Sequence, residues 1–297
     1  MSFKKWHDTM KRTYLLLIGV LCLAVGRAAA VSRGGDFLTV DSRNGLSQNN
    51  VKSIAQDDYG FIWLGTKNGL CRYDGRRTQL MHVADHREGR ANQNISALRA
   101  QKGHMLWVGT DEGLFLYDIS RDVFTCIDQP AQDGQCMTNW VGEIRHDRKG
   151  NVWVIVPAEG LFRIDCAELT DARQMAKASI HHYANPGREN NEHFTCFCIT
   201  ARGEVWVSGW NIGLWRHNPK EDSFEQVKED AAGRSMLGLQ FNTVTSLPDG
   251  SLAMAVQDGH LMLYSPLKGE LTENPWQDFS STVVRGATAF DDRLLVG

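Results

Sequence analysis

The stretch that decides the fold is Val51-Lys-Ser-Ile54-Ala-Gln-Asp57-Asp-Tyr-Gly60-Phe-Ile-Trp63-Leu-Gly65-Thr66-Lys-Asn-Gly69-Leu70-Cys-Arg-Tyr73-Asp74. It reads as three short strands over 51–56, 61–66 and 70–73, with a fourth over 78–83 after Asp-Gly-Arg. Asp-Tyr-Gly and Lys-Asn-Gly part the strands, because tight hairpins need the positive φ that such residues tolerate.

The pattern returns along the chain. A second copy matches at Ile95, Leu98, Gly103, Trp107, Gly109, Thr110, Gly113, Leu114, Tyr117 and Asp118. A third keeps Val141, Ile144, Asp147, Gly150, Trp153, Gly160, Leu161 and Asp165, and a fourth keeps Ile199, Gly203, Trp206, Gly213 and Leu214. A fifth has Val244, Leu247, Asp249, Gly250 and Asp258-Gly259, with Ala253 at the Trp position, and a sixth opens at Ala289 and runs to Gly297. From Trp63 through Trp107, Trp153, Trp206, Ala253 and Leu295 the steps are 44, 46, 53, 47 and 42 residues.

A period of about 40–50 residues with strand-type content implies an all-β β-propeller of four-stranded blades. The copies lie near 51–83, 95–127, 141–183, 197–228, 241–272 and 287–297, which makes about five blades and a partial sixth of an incomplete seven-bladed ring. Each blade lies between two others, so its second strand can be apolar on both faces. Phe61, Trp63 and Gly65 then share one face, and Ile62 and Leu64 the other. The expected structural set is Trp63, Gly65, Gly69, Trp107, Gly109, Gly113, Trp153, Gly160, Trp206 and Gly213. In this set the rings fill space between blades and Gly permits close approach.

Ahead of the repeats, Lys4, Lys5, Lys11 and Arg12 precede an apolar run over 14–25, and Ala28-Ala29-Ala30 follows. This layout predicts a signal peptide over 1–30, cleaved before Val31, and a propeller domain over 31–297. An uncleaved anchor is the alternative. The chain of 297 residues carries 32 Lys+Arg against 35 Asp+Glu, and loss of the leader leaves 27 basic and 34 acidic residues, a net charge of -7. Bulk electrostatics of that sign exclude a general polyanion binder, and no nucleic-acid contact is expected.

The entry Asp36-Phe37-Leu38-Thr39-Val40-Asp41-Ser42-Arg43-Asn44-Gly45-Leu46-Ser47-Gln48-Asn49-Asn50-Val51, with the repeated Asp-x-x-Gly-x-x-Trp-x-Gly-Thr-x-x-Gly-Leu-x-x-Tyr-Asp, resembles the two-component regulator propeller family. The resemblance spans about 36–297. It implies the periplasmic sensor end of a hybrid two-component system, which in full-length relatives is anchored in the inner membrane and coupled to a histidine kinase. It also implies an oligosaccharide ligand, and a homodimer formed through other parts of the full protein. The sequence carries no kinase motif, so no enzymatic residue is expected in this segment, and neither a cofactor nor a metal.

A propeller presents function where the turns between second and third strands meet the blade-to-blade connections. Trp140, Trp210 and Trp276 fall there, outside the repeated Trp position, with Arg188, Asn190 and Asn191 nearby. Flat rings that stack on sugars, beside polar side chains that bond hydroxyls, suit an oligosaccharide. The alternative is that each ring packs under its own loop. His193-x-x-Cys196-x-Cys198 lacks the second pair that a zinc site needs. The two thiols, two apart on an inner strand, are expected to pack on one face. Six cysteines follow the leader; Cys126 and Cys136 are the pair to test for a bridge, with buried free thiols as the alternative. His181-His182 reads as a solvated edge of an outer strand. An exported lyase-type propeller is the competing function, and it would require a convergent His/Glu/Arg set on the upper face.

Overall fold

The computed structural model describes residues 39–85, 90–167, 169–187, 191–256, 260–273, 287–290 and 293–296. Residues from Asp41 onward form one compact unit, whose architecture follows. The first blade comprises β1 (Val51–Gln56), β2 (Ile62–Thr66), β3 (Gly69–Tyr73) and β4 (Thr78–Met81). A short ribbon, β5 (Ala84–Asp85) with β6 (Arg90–Ala91), leads to the second blade. That blade holds β7 (Ile95–Gln101), β8 (Met105–Thr110), β9 (Gly113–Asp118) and β10 (Val123–Ile127). The third has β11 (Glu143–His146), β12 (Val152–Val156), β13 (Gly160–Ile164) and β14 (Ile180–Ala184). The fourth has β15 (His193–Ile199), β16 (Val205–Trp210), β17 (Leu214–Asn218) and β18 (Ser223–Val227). The fifth has β19 (Phe241–Ser246), β20 (Leu252–Val256), β21 (Leu261–Ser265) and β22 (Glu270–Glu273), and the pair β23 (Ala287–Phe290) and β24 (Arg293–Val296) follows.

All five four-stranded sheets are antiparallel meanders in chain order, the arrangement the repeat predicts. Their first strands pack in succession, β1 on β7, β7 on β11, β11 on β15, β15 on β19 and β19 on β23. The long step between Trp153 and Trp206 has a local cause. A one-turn helix, α1 (Ala172–Met175), is inserted between β13 and β14, capped by Asp171, which accepts the amides of Arg173 and Gln174.

Each repeated residue acquires a physical role. Asp57 Oδ1 accepts the amides of Tyr59 and Phe61, closing the β1–β2 turn, while Oδ2 accepts the Trp63 indole N–H at 2.7 Å. Asp147 does the same for Lys149, Asn151 and Trp153 in the third blade. Gln101 serves Trp107 in the second. Thr200 takes the turn amides of Arg202 and Glu204 in the fourth, and there the buried Trp206 Nε1 has no acceptor among the described residues. The fifth copy has Leu247 and Ala253 at these two positions and dispenses with both groups. Thr66 and Thr110 close the next turn, each hydroxyl donating to the carbonyl of Gly69 or Gly113 at 2.9 Å. In the fourth blade Ser208 donates to Gly213 in the same way.

The four repeated indoles are fully buried. Trp63 packs with Ile95, Leu98 and Tyr117 of the second blade, and Trp153 with Phe194, Phe197 and Val207 of the fourth. Gly65 and Gly109 let the next blade close in: a Cβ at Gly65 would sit 2.8 Å from Ile95 Cγ2, and one at Gly109 2.5 Å from Val141 Cγ1. At Gly113 both reasons for glycine meet, since φ is +116° and a Cβ would lie 2.6 Å from the Met137 carbonyl oxygen. The third blade has Ile155 at the Trp-x-Gly position, and room for it comes from Gly142, whose added Cβ would meet Ile155 Cγ2 at 3.2 Å.

One face differs. Leu98, Ile144, Phe197 and Val244 each stand three residues before the turn residue of their blade and are 6, 5, 0 and 1% exposed. Their counterpart in the first blade, Ile54, is 65% exposed.

Candidate functional site

The β2–β3, β8–β9, β12–β13 and β16–β17 turns and the connections between blades share one edge of the molecule, the upper edge. Trp140 lies in the connection from β10 to β11, and Trp210 ends β16. They are 47% and 48% exposed, so neither ring packs under its loop. Their surroundings are braced. Thr138 and Asn139 donate to the buried carboxylate of Glu159 on the β12–β13 turn. Val141 N–H donates to Thr110 O at 2.9 Å and Gly142 N–H to Ile155 O at 2.8 Å. Trp140 is thus presented from a segment fixed on both sides. Trp210 lies opposite His193 in the β15–β16 register, and the exposed Asn191, with φ +58°, stands two residues before that strand. Trp276, Arg188 and Asn190 lie outside the described residues.

His181 and His182 are not a solvated edge. The His182 side chain is 5% exposed; Nδ1 is 2.6 Å from Asp133 Oδ2, Nε2 is 3.1 Å from Glu159 O, and the ring stacks on Phe162. The bond from His182 holds the Asp133 carboxyl below its usual range. His182 therefore ties the connection that carries Trp140 to β14.

His181 belongs to a polar cluster on the opposite, lower edge, where the third and fourth blades meet. Arg163 Nε donates to Asp165 Oδ1 at 2.8 Å and Nη1 to Asp222 Oδ1 at 2.6 Å. His181 Nε2 lies 2.9 Å from Asp165 Oδ2, and Nδ1 3.2 Å from Asp222 Oδ2. Tyr183 donates its hydroxyl to Asp222 at 2.7 Å, and His217 Nε2 stands 3.0 Å from it. Burial alone would raise the Asp222 carboxyl, but the bonds from Arg163, Tyr183 and His217 outweigh it and hold it well below the usual range. Burial pushes the His217 imidazole down against the opposing bond to Asp222, and burial with the Asp222 bond pushes the Tyr183 phenol up. A cavity of about 650 Å³ opens beside the cluster, lined in part by Arg148, Lys149, Arg202, Trp153 and His217.

Sequence reasoning missed this cluster, although a signal was present. Tyr117 bonds Asp122 and His217 bonds Asp222 across the same five-residue spacing. Both aspartates adopt positive φ in the turn between third and fourth strands. Cys196 and Cys198 pack in one apolar cluster with Trp206 and Val244, as expected of residues two apart. Burial pushes the Cys198 thiol up to about 12, far from thiolate chemistry. Cys136 is a half-exposed free thiol, so the Cys126–Cys136 bridge is not formed. Among the described residues no group of three or more His, Cys, Asp or Glu side chains is placed so that it could hold a metal ion.

The sheet order and these edges define a β-propeller. Residues 45–68, the entry to β1 and the first hairpin, match the family model described as two component regulator propeller, the family that the first repeat resembles. Among solved structures, the fold is similar to the extracellular domain of the hybrid two component system BT4673 from B. thetaiotaomicron. That match has 20% identity and a TM-score of 0.64, and covers 83% of this chain and 33% of that one. The extracellular domain of the B. thetaiotaomicron system BT3049 matches at 19% identity with a TM-score of 0.54, over 84% of this chain and 38% of that one. Virginiamycin B lyase from Staphylococcus aureus matches at 12% identity and a TM-score of 0.55, covering 83% of this chain and 76% of that one, a likeness of fold alone. The chain spans about a third of the length of the two-component structures it matches. No curated protein sequence matches it. Among the described residues no helix is long and apolar enough to cross a membrane.

Proposed function

We propose that this chain is the exported, periplasmic ligand-sensing propeller of a hybrid two-component signalling protein. Its upper edge takes an oligosaccharide, and its occupancy controls a histidine kinase elsewhere in the protein, which dimerises through its other parts. The observation that carries this reading is the pair of half-exposed indoles, Trp140 and Trp210, on one edge of the propeller. Half-exposed rings on braced backbone offer stacking area at little ordering cost, which is how an apolar sugar face is bound. Asn191 supplies polar contact to hydroxyls, and Trp276, Arg188 and Asn190 extend the same set by sequence position. The signature at residues 45–68 and the likeness to two extracellular domains of two-component systems support the sensor role.

Calorimetric titration of the chain against a panel of neutral and acidic oligosaccharides tests the proposal. Saturable heat with at least one glycan, weakened roughly 10-fold or more by Trp140→Ala or Trp210→Ala, is expected for residues central to a binding surface. No heat with any glycan, or binding untouched by both substitutions, overturns the upper-edge assignment.

A further inference from the structure

We propose that the lower-edge cavity between the third and fourth blades is a second binding site, which takes a small organic molecule by an oxyanion group, a carboxylate, sulfate or phosphate. It lies on the edge opposite Trp140 and Trp210 and does not depend on the upper-edge reading. Its volume of about 650 Å³ falls within the range of about 300–1,000 Å³ usual for small-molecule sites. A bare ion would leave most of that space to water, so the occupant has a body as well as a charge.

The turn from β11 to β12 gives Arg148 and Lys149 to the lining, and the turn from β15 to β16 gives Arg202. All three are exposed, whereas the side chain of Arg163, deeper in the joint, is 15% exposed. The carboxylates of the lining are bonded elsewhere. Asp147 accepts the turn amides of Lys149 and Asn151 with one oxygen, and the Asn151 side chain and Trp153 indole with the other. Asp165 accepts Nε of Arg163, and Asp222 accepts both of its terminal nitrogens. Glu204, two residues after Arg202, accepts from Arg216. Arg148, Lys149 and Arg202 are left with no ion pair or side-chain hydrogen bond among the described residues. Four cations thus line the cavity against three carboxylates, and the excess stands at its rim, a positive spot on a chain of net charge -3.

The molecule contains its own comparison. At the joint between the first and second blades, Asp58 and Tyr59 hold the places of Arg148 and Lys149 in the turn. Asp58 Oδ2 accepts the Gly103 amide of the next turn at 3.2 Å, and the Tyr59 ring stacks on His104 with centroids 4.0 Å apart. Those two turns close on each other. Between the third and fourth blades the turn is bridged by the stem of Arg148, which lies against Gly203: a Cβ there would sit 3.2 Å from Arg148 Cδ. The stem is seated and the guanidinium beyond it keeps its donors. A guanidinium fork matches two oxygens of one oxyanion, and the Lys149 ammonium adds a point charge beside it.

Calorimetric titration of the whole chain with glucuronate, phenyl phosphate, inorganic phosphate and, as the uncharged control, glucose tests the site. Saturable binding of glucuronate or phenyl phosphate is expected, tighter than that of inorganic phosphate and weakened by added salt. Arg148→Gln and Arg202→Gln should each weaken it about 5-fold or more, and Trp140→Ala should leave it unchanged. Lys149→Gln serves as a third variant if either arginine variant fails to fold. The proposal is overturned if neither organic anion binds at about 10 mM, where a ligand of about 1 mM affinity is nearly saturating. It is equally overturned if glucose or inorganic phosphate binds as tightly as they do, or if the basic substitutions leave binding untouched. Binding lost in Trp140→Ala alone would assign the anion to the upper edge and refute the lower site while sparing the upper-edge reading.

Discussion

A single methyl group added at Gly109 tests the reason for the glycine in Trp-x-Gly. Its backbone is not left-handed, so substitution brings no conformational strain, only contact: the new Cβ would lie 2.5 Å from Val141 Cγ1, 2.8 Å from Val141 Cβ and 3.2 Å from Ala97 Cβ. Carbon atoms rest at about 3.5–4.0 Å, so the inner edge of the third blade must retreat by about 1 Å. Val141 is fully buried and its amide is bonded to Thr110 O at 2.9 Å, which leaves little slack. Overpacking of this kind costs about 1–3 kcal/mol, and the closeness of the contact puts Gly109→Ala at about 2–3 kcal/mol. Val141→Ala removes two carbons at about 0.8 kcal/mol each and leaves a cavity, about 2 kcal/mol in all. If the two sites are one steric unit, the double variant loses only about 2–3 kcal/mol, because the new methyl takes the space of the lost Val141 methyls and only the contact with the remaining Cβ atoms has to relax. Urea unfolding followed by tryptophan fluorescence gives all three values. A double variant whose loss equals the sum of the singles, within about 0.5 kcal/mol, would refute the reasoning.

Two further outcomes follow from the repeat. Ile144→Lys, which puts a charge into a packed joint, should cost more than about 4 kcal/mol or abolish folding, whereas Ile54→Lys at the equivalent but exposed position should stay within about 0.5 kcal/mol; similar losses in denaturant midpoints would show that the exposure of Ile54 is not that of the folded chain. Asp57→Ala strands the Trp63 indole and two turn amides and should cost about 2–4 kcal/mol by the same measurement, and a loss under about 0.5 kcal/mol would make the aspartate dispensable to the turn.

The architecture was legible because the repeat is periodic and its marks are local. Asp57, Gly60, Trp63 and Gly69 each fix a turn or a joint within a few residues of themselves, so spacing alone exposes the blade. The exposure of Trp140 and Trp210 is a matter of position: one sits in a connection between blades and the other at the end of a strand, outside the apolar stretch that the neighbouring blades cover. The lower cluster was not legible, because its members come together only when blades pack. Arg163 and Asp222 are 59 residues apart, and their meeting depends on the stagger between two sheets, which no local pattern encodes. His182 was misread on the same ground. An outer strand is an edge of its own sheet, yet Asp133, 49 residues earlier, returns across it from a connection.

The pairing of a turn residue with the indole six positions later also bears on descent. If the blades arose by copying one ancestral unit, the two positions could not drift separately without stranding a buried N–H. The fifth blade has neither, with Leu247 and Ala253 at the two positions, while the fourth keeps Trp206 above a threonine too short to serve it. The fourth blade thus looks like a halfway form, a copy in which one partner has changed and the other has yet to follow. On that assumption, a change at one position of the couplet alone leaves what the fourth blade shows, a buried indole N–H with no acceptor among the described residues.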